Sequence, residues 1–196
     1  MFLNRADTAI FTSATLAAGR DLNYFSERLG MGLTQKHRLV QNIFSSHFDF
    51  PKQLLLAALT DMPDPNDSSY ADRVSDLLIR CAPRLKRRML VLFTSREMLR
   101  KVYERTIPEF SEAGVPLLAQ DITGSPHQLL EELRLRPGAV LLGTDSFWEG
   151  VDLPGEQLEI AVIARLPFSV PTDPMVNARY EKLEQEGINP FHAFYM

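Results

Sequence analysis

The stretch MLVLFTSREMLRKVYERTIPEF, residues 89–110, decides how the chain is read. It opens on five unbroken apolar residues, Met89 to Phe93, and passes through the hydroxyl pair Thr94 and Ser95. Beyond that pair, Leu99, Val102, Tyr103, Ile107 and Phe110 recur at helical spacing. A short apolar run of this kind is what a parallel strand covered on both faces produces, and the stripe after it predicts an amphipathic helix. Thr94 or Ser95 is available as its N-cap. The unit is a buried strand feeding a helix, the building block of an α/β sheet.

Outward from this unit the alternation repeats. Strands are expected at Ala9–Ser13, Leu39–Ser45, Met89–Phe93, Pro116–Ala119, Ala139–Gly143 and Glu159–Ala164, with AVLLG and IAVIA again reading as strands buried on both faces. Ser125, Pro126 and Gln128 form the start of a capping box ahead of Leu129, Leu130 and Leu133, and Asp173-Pro174 opens a further helix bearing Val176, Tyr180 and Leu183. The Pro-, Asp- and Ser-rich segment MPDPNDSSYADR, residues 62–73, reads as an exposed loop leading into a helix with Val74, Leu77, Leu78 and Cys81. No internal repeat is present. The expected fold is α/β, a mostly parallel sheet with helices on both faces, in one domain over residues 1–196. The apolar, aromatic ending FHAFYM suggests a piece of something longer.

Composition narrows the function classes. The 196 residues are 45 % hydrophobic and 23 % charged, which suits a globular domain rather than a disordered or fibrous chain. No apolar run is long enough to span a bilayer and the opening residues do not read as a secretory signal, so a cytoplasmic protein without membrane contact is expected. A single cysteine, Cys81, cannot supply a four-ligand metal or cluster site. With 21 Lys+Arg against 25 Asp+Glu, any nucleic-acid binding must be local rather than polycationic. Arg80, Arg84, Lys86, Arg87 and Arg88 form one basic run, which reads either as such a patch or as a solvated helix end. The histidines His37, His47, His127 and His192 share no metal-ligand spacing.

VLLGTDSFWEGVDLPGE, residues 140–156, places a Gly-Thr-Asp turn at the end of an expected strand, where ligands gather in open α/β sheets. Gly150 and Gly155 allow close backbone approach, Asp152 can accept from a sugar hydroxyl, and Thr144 offers a hydroxyl and an N–H. The same loop can equally be a structural turn. Phe147 and Trp148 can stack on a base or fill the core, and Arg165 can reach a phosphate or pair with an acid. Thr94 and Ser95 can present hydroxyls to a DNA phosphate or simply cap a helix. Glu149 beside Gly150 invites a general-base reading.

Four strings together carry a resemblance. The T-D-x-x-x-x-G-V-D-x-P-G spacing from Thr144 to Gly155 closely resembles motif V of superfamily 2 helicases. FTSATL, residues 11–16, resembles motif III, and VLFTSREML, residues 91–99, resembles motif IV. IARLPFSVPTDPMVNARYE, residues 163–181, with GINPF at 187–191, is similar to the segment after motif V in the DinG branch of the XPD-like helicases. The resemblance implies the second RecA-like motor domain of an ATP-dependent DNA helicase, ending before motif VI with its arginine finger. It implies a coupling role for Ser13, Ala14 and Thr15, and nucleotide contacts for Glu149, Gly150 and Asp152, with Glu149 structural or coupling rather than catalytic. It implies single-stranded DNA contacts for Thr94, Ser95, Thr144, Asp145, Trp148 and Arg165. No G-x-x-x-x-G-K-[ST] string or D-E-x-H box occurs, so ATP and Mg would be held mainly by an N-terminal motor domain, the partner lobe in the same protein. Any iron–sulfur cluster would also lie there and not in this chain. The fragment alone is expected to be catalytically inactive. A rival reading is a non-enzymatic α/β module that docks a replication or repair protein.

Overall fold

The structure, a computed structural model, describes residues 7–17, 21–31, 38–167, 174–187 and 189. The chain divides into two compact units, Ala58–Pro171 and a second unit drawn from the residues before and after it. The central unit holds α3 (Tyr70–Leu85), β1 (Met89–Leu92), α4 (Arg96–Glu112), β2 (Leu117–Ala119), α5 (Pro126–Leu135), β3 (Val140–Gly143) and β4 (Ile160–Ile163). Its four strands form one sheet in the order β2-β3-β1-β4, every neighbouring pair parallel.

The strands are short because each apolar run ends within one residue of a turn or cap. Alternate side chains serve opposite faces. Met89, Val91 and Phe93 pack with Val74 and Leu78 of α3 and Leu99, Val102 and Phe110 of α4. Leu90 and Leu92 turn the other way, to Leu129 and Leu133 of α5 and to Phe147. The sheet therefore has helices on both faces, as the unbroken apolar runs imply. β4 differs. It is an edge strand, with Ile160 and Val162 packed on the first core while Ala161 and Ile163 on its other face are exposed, Ile163 at 51 %. IAVIA is thus buried on one face rather than two, because among the described residues of this unit no helix covers the second.

Helix signals read from sequence correspond to real caps. Ser95 is the N-cap of α4, its Oγ accepting the Met98 N–H at 3.3 Å. α4 stops where Gly114 takes a left-handed φ of 67° and Val115 N–H returns to the Phe110 carbonyl at 2.8 Å. Gln128 Oε1 accepts the Ser125 N–H at 3.1 Å, the glutamine half of the expected capping box. The loop expected over 62–73 is shorter than that, since Tyr70 to Arg73 already belong to α3. Asp64 and Asp67 fold the loop on itself by accepting the N–H groups of Asn66 and Ser69, each at 2.8 Å.

In the other unit the described elements are α1 (Asn23–Arg28), α2 (Phe50–Gln53) and α6 (Pro174–Gln185), the last being the helix expected after Asp173-Pro174, of which Asp173 lies outside the described residues. The strands expected at Ala9–Ser13 and Leu39–Ser45 are absent. Both segments are largely exposed and neither has a ladder partner among the described residues. An apolar, β-branched composition favours a strand only where a neighbour is there to accept the ladder.

Candidate nucleic-acid interface at the strand ends

Parallel pairing sets β1 between β3 and β4, with Leu92 opposite both Gly143 and Ile163. The residues that follow each strand emerge side by side at strand spacing of about 4.8 Å. Phe93 N–H bonds the Gly143 carbonyl at 2.9 Å, and Ala164 N–H bonds the Leu92 carbonyl at 3.0 Å. Thr94 and Ser95, Thr144 and Asp145, and Arg165 thus lie along one edge of the sheet, although they are far apart in sequence.

Within that edge the residues divide into an outer and an inner set. Thr94, Ser95, Asp145 and Arg165 are exposed. The Ser95 hydroxyl, however, already accepts from Met98, so the capping role is real whatever else the residue does. Thr144 is only 1 % exposed, and the expectation that its hydroxyl and N–H stand open to a ligand is corrected. Gln120 Oε1 accepts both, from the N–H at 2.8 Å and from Oγ1 at 3.1 Å. Trp148 is half-buried against the second core and donates its indole N–H to the Phe93 carbonyl at 3.1 Å. Phe147 is core, its ring seated over Gly143, where an added Cβ would meet it at 2.6 Å.

Glu149, Gly150 and Asp152 are exposed on the loop that runs from β3 to β4, with Gly150 at a φ of 75°. Asp145, Glu149, Asp152 and Glu156 make this loop acidic. Such a surface suits acceptance from hydroxyl groups and repels a polyanion such as a triphosphate. Two arginines brace the loop. Arg134 Nη2 donates to the Asp152 carbonyl at 3.2 Å, and Arg88 donates to the carbonyls of Leu133, Arg134 and Glu156 at 2.9, 3.0 and 2.8 Å. The basic run is thereby largely spent internally. Arg88 is a staple, Arg87 pairs with Glu159, Arg84 bonds the Arg80 carbonyl, and Lys86 ends α3 in a left-handed turn at φ 50°.

Beside Arg165, the Tyr70 hydroxyl donates to the Ala164 carbonyl. Burial pushes the Tyr70 phenol above its ordinary value, and the nearby Arg165 charge partly offsets that rise. Ser13, Ala14 and Thr15 lie in the other unit as an exposed turn, in which Ser13 Oγ accepts the Thr15 N–H at 3.2 Å. Sequence reasoning missed Gln120 and Tyr70, and it read Arg88 as one member of the basic run without its bonds to remote carbonyls. A glutamine just past a strand and a tyrosine at a helix start carry no periodic or motif signal, and a basic run does not say which of its members turns inward.

Residues 78–196 match the helicase C-terminal domain family. Across 98 % of its length the chain is 34 % identical to the 3'-5' exonuclease DinG of Bacillus subtilis, covering 21 % of that protein. Across 93 % it is 36 % identical to the ATP-dependent DNA helicase YoaA of Escherichia coli, and across 96 % it is 34 % identical to the ATP-dependent DNA helicase DinG of Photobacterium profundum, covering 27 % of each. The chain thus spans about a quarter of the length of the curated relatives it matches. With a parallel sheet, a strand-end edge and this match in hand, the chain belongs to the helicase C-terminal domain family.

Proposed function

We propose that the chain is the second RecA-like motor lobe of an ATP-dependent DNA helicase, acting in the cytoplasm, and that the strand-end edge is its track for single-stranded DNA. The observation that carries the reading is the row formed by the ends of β3, β1 and β4. It brings Thr94, Ser95 and Arg165 to one surface in a chain whose family is that of helicase C-terminal domains. Exposed hydroxyls, helix-start N–H groups and one arginine fix a phosphate backbone without reading bases. Thr144 and Trp148 act from behind, holding the two loops in register. Asp145, exposed on the same edge, keeps the strand off the β3 loop by repulsion.

ATP would meet Glu149, Gly150 and Asp152 from the ribose side, while its phosphates and Mg²⁺ are held by an N-terminal motor domain. Any iron–sulfur cluster would belong to that part too. The two lobes would close around bound ATP, and hydrolysis of its phosphoanhydride would reopen them and step the strand. Ser13, Ala14 and Thr15 are assigned to coupling between the lobes. The family match favours this motor reading over a docking module.

The test is direct. The 196-residue chain should bind oligo(dT) and mixed-sequence single strands alike, with a dissociation constant on the order of 10⁻⁴ to 10⁻⁶ M, and should release no phosphate from ATP. Turnover of about one per second or more from this chain alone, or no detectable single-strand binding by fluorescence anisotropy, overturns the proposal.

A further inference from the structure

We infer that a small cleft between the start of α4 and the ends of β2 and β3 seats one phosphodiester of the bound strand, with Arg100 as its cation and Asp121 restraining Arg96. The inference rests on the single-strand reading above and adds to it residues that the motif comparison did not assign. The cleft measures about 80 Å³ and is lined by Arg96, Arg100, Gln120, Asp121, Ile122 and Thr144, together with Leu99. Pockets that enclose a whole nucleotide-sized ligand run to roughly 300–1,000 Å³, so this one has room for a single phosphate-sized group. A free nucleotide would leave most of itself outside. A strand lying along the edge presents its phosphates one at a time.

The charges settle which group holds it. Gln120 and Thr144 satisfy each other on the cleft floor, which is polar but uncharged. Arg96 pairs with Asp121 at 3.3 Å, and both side chains are well exposed, so water weakens the pair and a phosphate can compete for it. Arg100, one helical turn further along α4, forms no ion pair among the described residues. Glu97, the acid of the same helical turn, is taken by Lys101 at 2.8 Å. The cleft therefore presents one unneutralised guanidinium and a second one held by a carboxylate, in a chain of net charge -4. A guanidinium fork meets two phosphate oxygens at once. Ile122, 39 % exposed at the rim, offers an apolar rest for the adjoining sugar.

The experiment measures binding of labelled oligo(dT) to the 196-residue chain by fluorescence anisotropy over a series of salt concentrations. Each phosphate neutralised on a single strand contributes about 0.7 to the slope of log affinity against log salt. Arg100→Gln should lower that slope by about 0.7. Asp121→Asn should tighten binding severalfold and steepen the slope by about 0.7, because Arg96 is released. Arg84→Gln makes the same charge change at the opposite end of the sheet and should leave the slope as it was. All three sites are exposed, and thermal melting confirms that each variant folds. If Arg84→Gln matches Arg100→Gln, or Arg100→Gln leaves the slope intact while the chain still binds, the cleft assignment falls and the single-strand track survives. Failure of the unsubstituted chain to bind any oligonucleotide sinks both. Displacement of the labelled strand by ATP from the unsubstituted chain but not from Arg100→Gln gives the cleft to a nucleotide phosphate and overturns the inference.

Discussion

Residues 89–93 and residues 39–45 carry similar sequence credentials and end in opposite circumstances. MLVLF lies at the centre of the sheet with a parallel neighbour on each side, and Phe93 is 0 % exposed. LVQNIFS has no strand partner among the described residues and Phe44 is 88 % exposed. What separates them is the flanking sequence. β1 is followed by α4, the crossover to β2, with α3 packed on the same face, and parallel strands are joined only through such crossovers. No comparable helix follows Leu39–Ser45 before the four-residue α2. Composition nominates a strand, and the crossover elects it.

The sharpest way to break this comparison is to truncate both phenylalanines. Phe93→Ala should cost about 3–5 kcal/mol, while Phe44→Ala should stay within about 0.5 kcal/mol of wild type. Urea denaturation of the 196-residue chain measures both, and a loss above about 2 kcal/mol for Phe44→Ala would mean that residues 39–45 are buried in solution. Gly143→Ala probes the paired region at its tightest point. The new Cβ would sit 2.6 Å from the Phe147 ring, so a cost of about 1–3 kcal/mol is expected from a methyl group that elsewhere in a strand is harmless. A neutral result in thermal melting would place Phe147 elsewhere.

Arg88→Ala asks whether the paired region is stapled at its base, where three carbonyls converge on one guanidinium. A half-exposed arginine in this role should be worth about 1–2 kcal/mol, and Arg88→Lys should not restore it, since a single ammonium cannot span the three acceptors. Tyr70→Phe is the mildest change, with an expected loss of about 1 kcal/mol. It also has a pH signature. The folded phenol titrates above the unfolded one, so its contribution is complete below the unfolded value and is lost as pH rises through the folded one. Stability followed from about pH 9 to 11 should fall more steeply in wild type than in Tyr70→Phe.

Much of the central unit was legible because its signals are local. Apolar runs flanked by caps specified all four strands to within about a residue, and Ser95 and Gln128 announced the starts of α4 and α5. The exposed half of β4 was not legible, since a run such as IAVIA does not say whether it will stand at the centre or the edge of a sheet. The candidate site was legible as a set of strand-end positions but not as chemistry. Thr144 reads as an open hydroxyl until Gln120, 24 residues earlier, is seen to take both of its donors. The basic run reads either as a surface patch or as a solvated helix end until the carbonyls of Leu133, Arg134 and Glu156 arrive from remote parts of the chain. In each case the deciding partner is supplied by topology, which no local window contains.

Trp148 is the chain's single tryptophan, and its indole N–H rests on the Phe93 carbonyl between the loops that follow β1 and β3. Every other aromatic residue is a phenylalanine or tyrosine. Ultraviolet emission excited at the indole band therefore comes from one place, the contact between the two strand-end loops, and needs no dye and no engineered label. A strand settling on that edge, or a loop lifting from it, changes the hydration and hydrogen bonding of that one chromophore. The protein thus carries a built-in optical gauge at the edge where its ligand is expected.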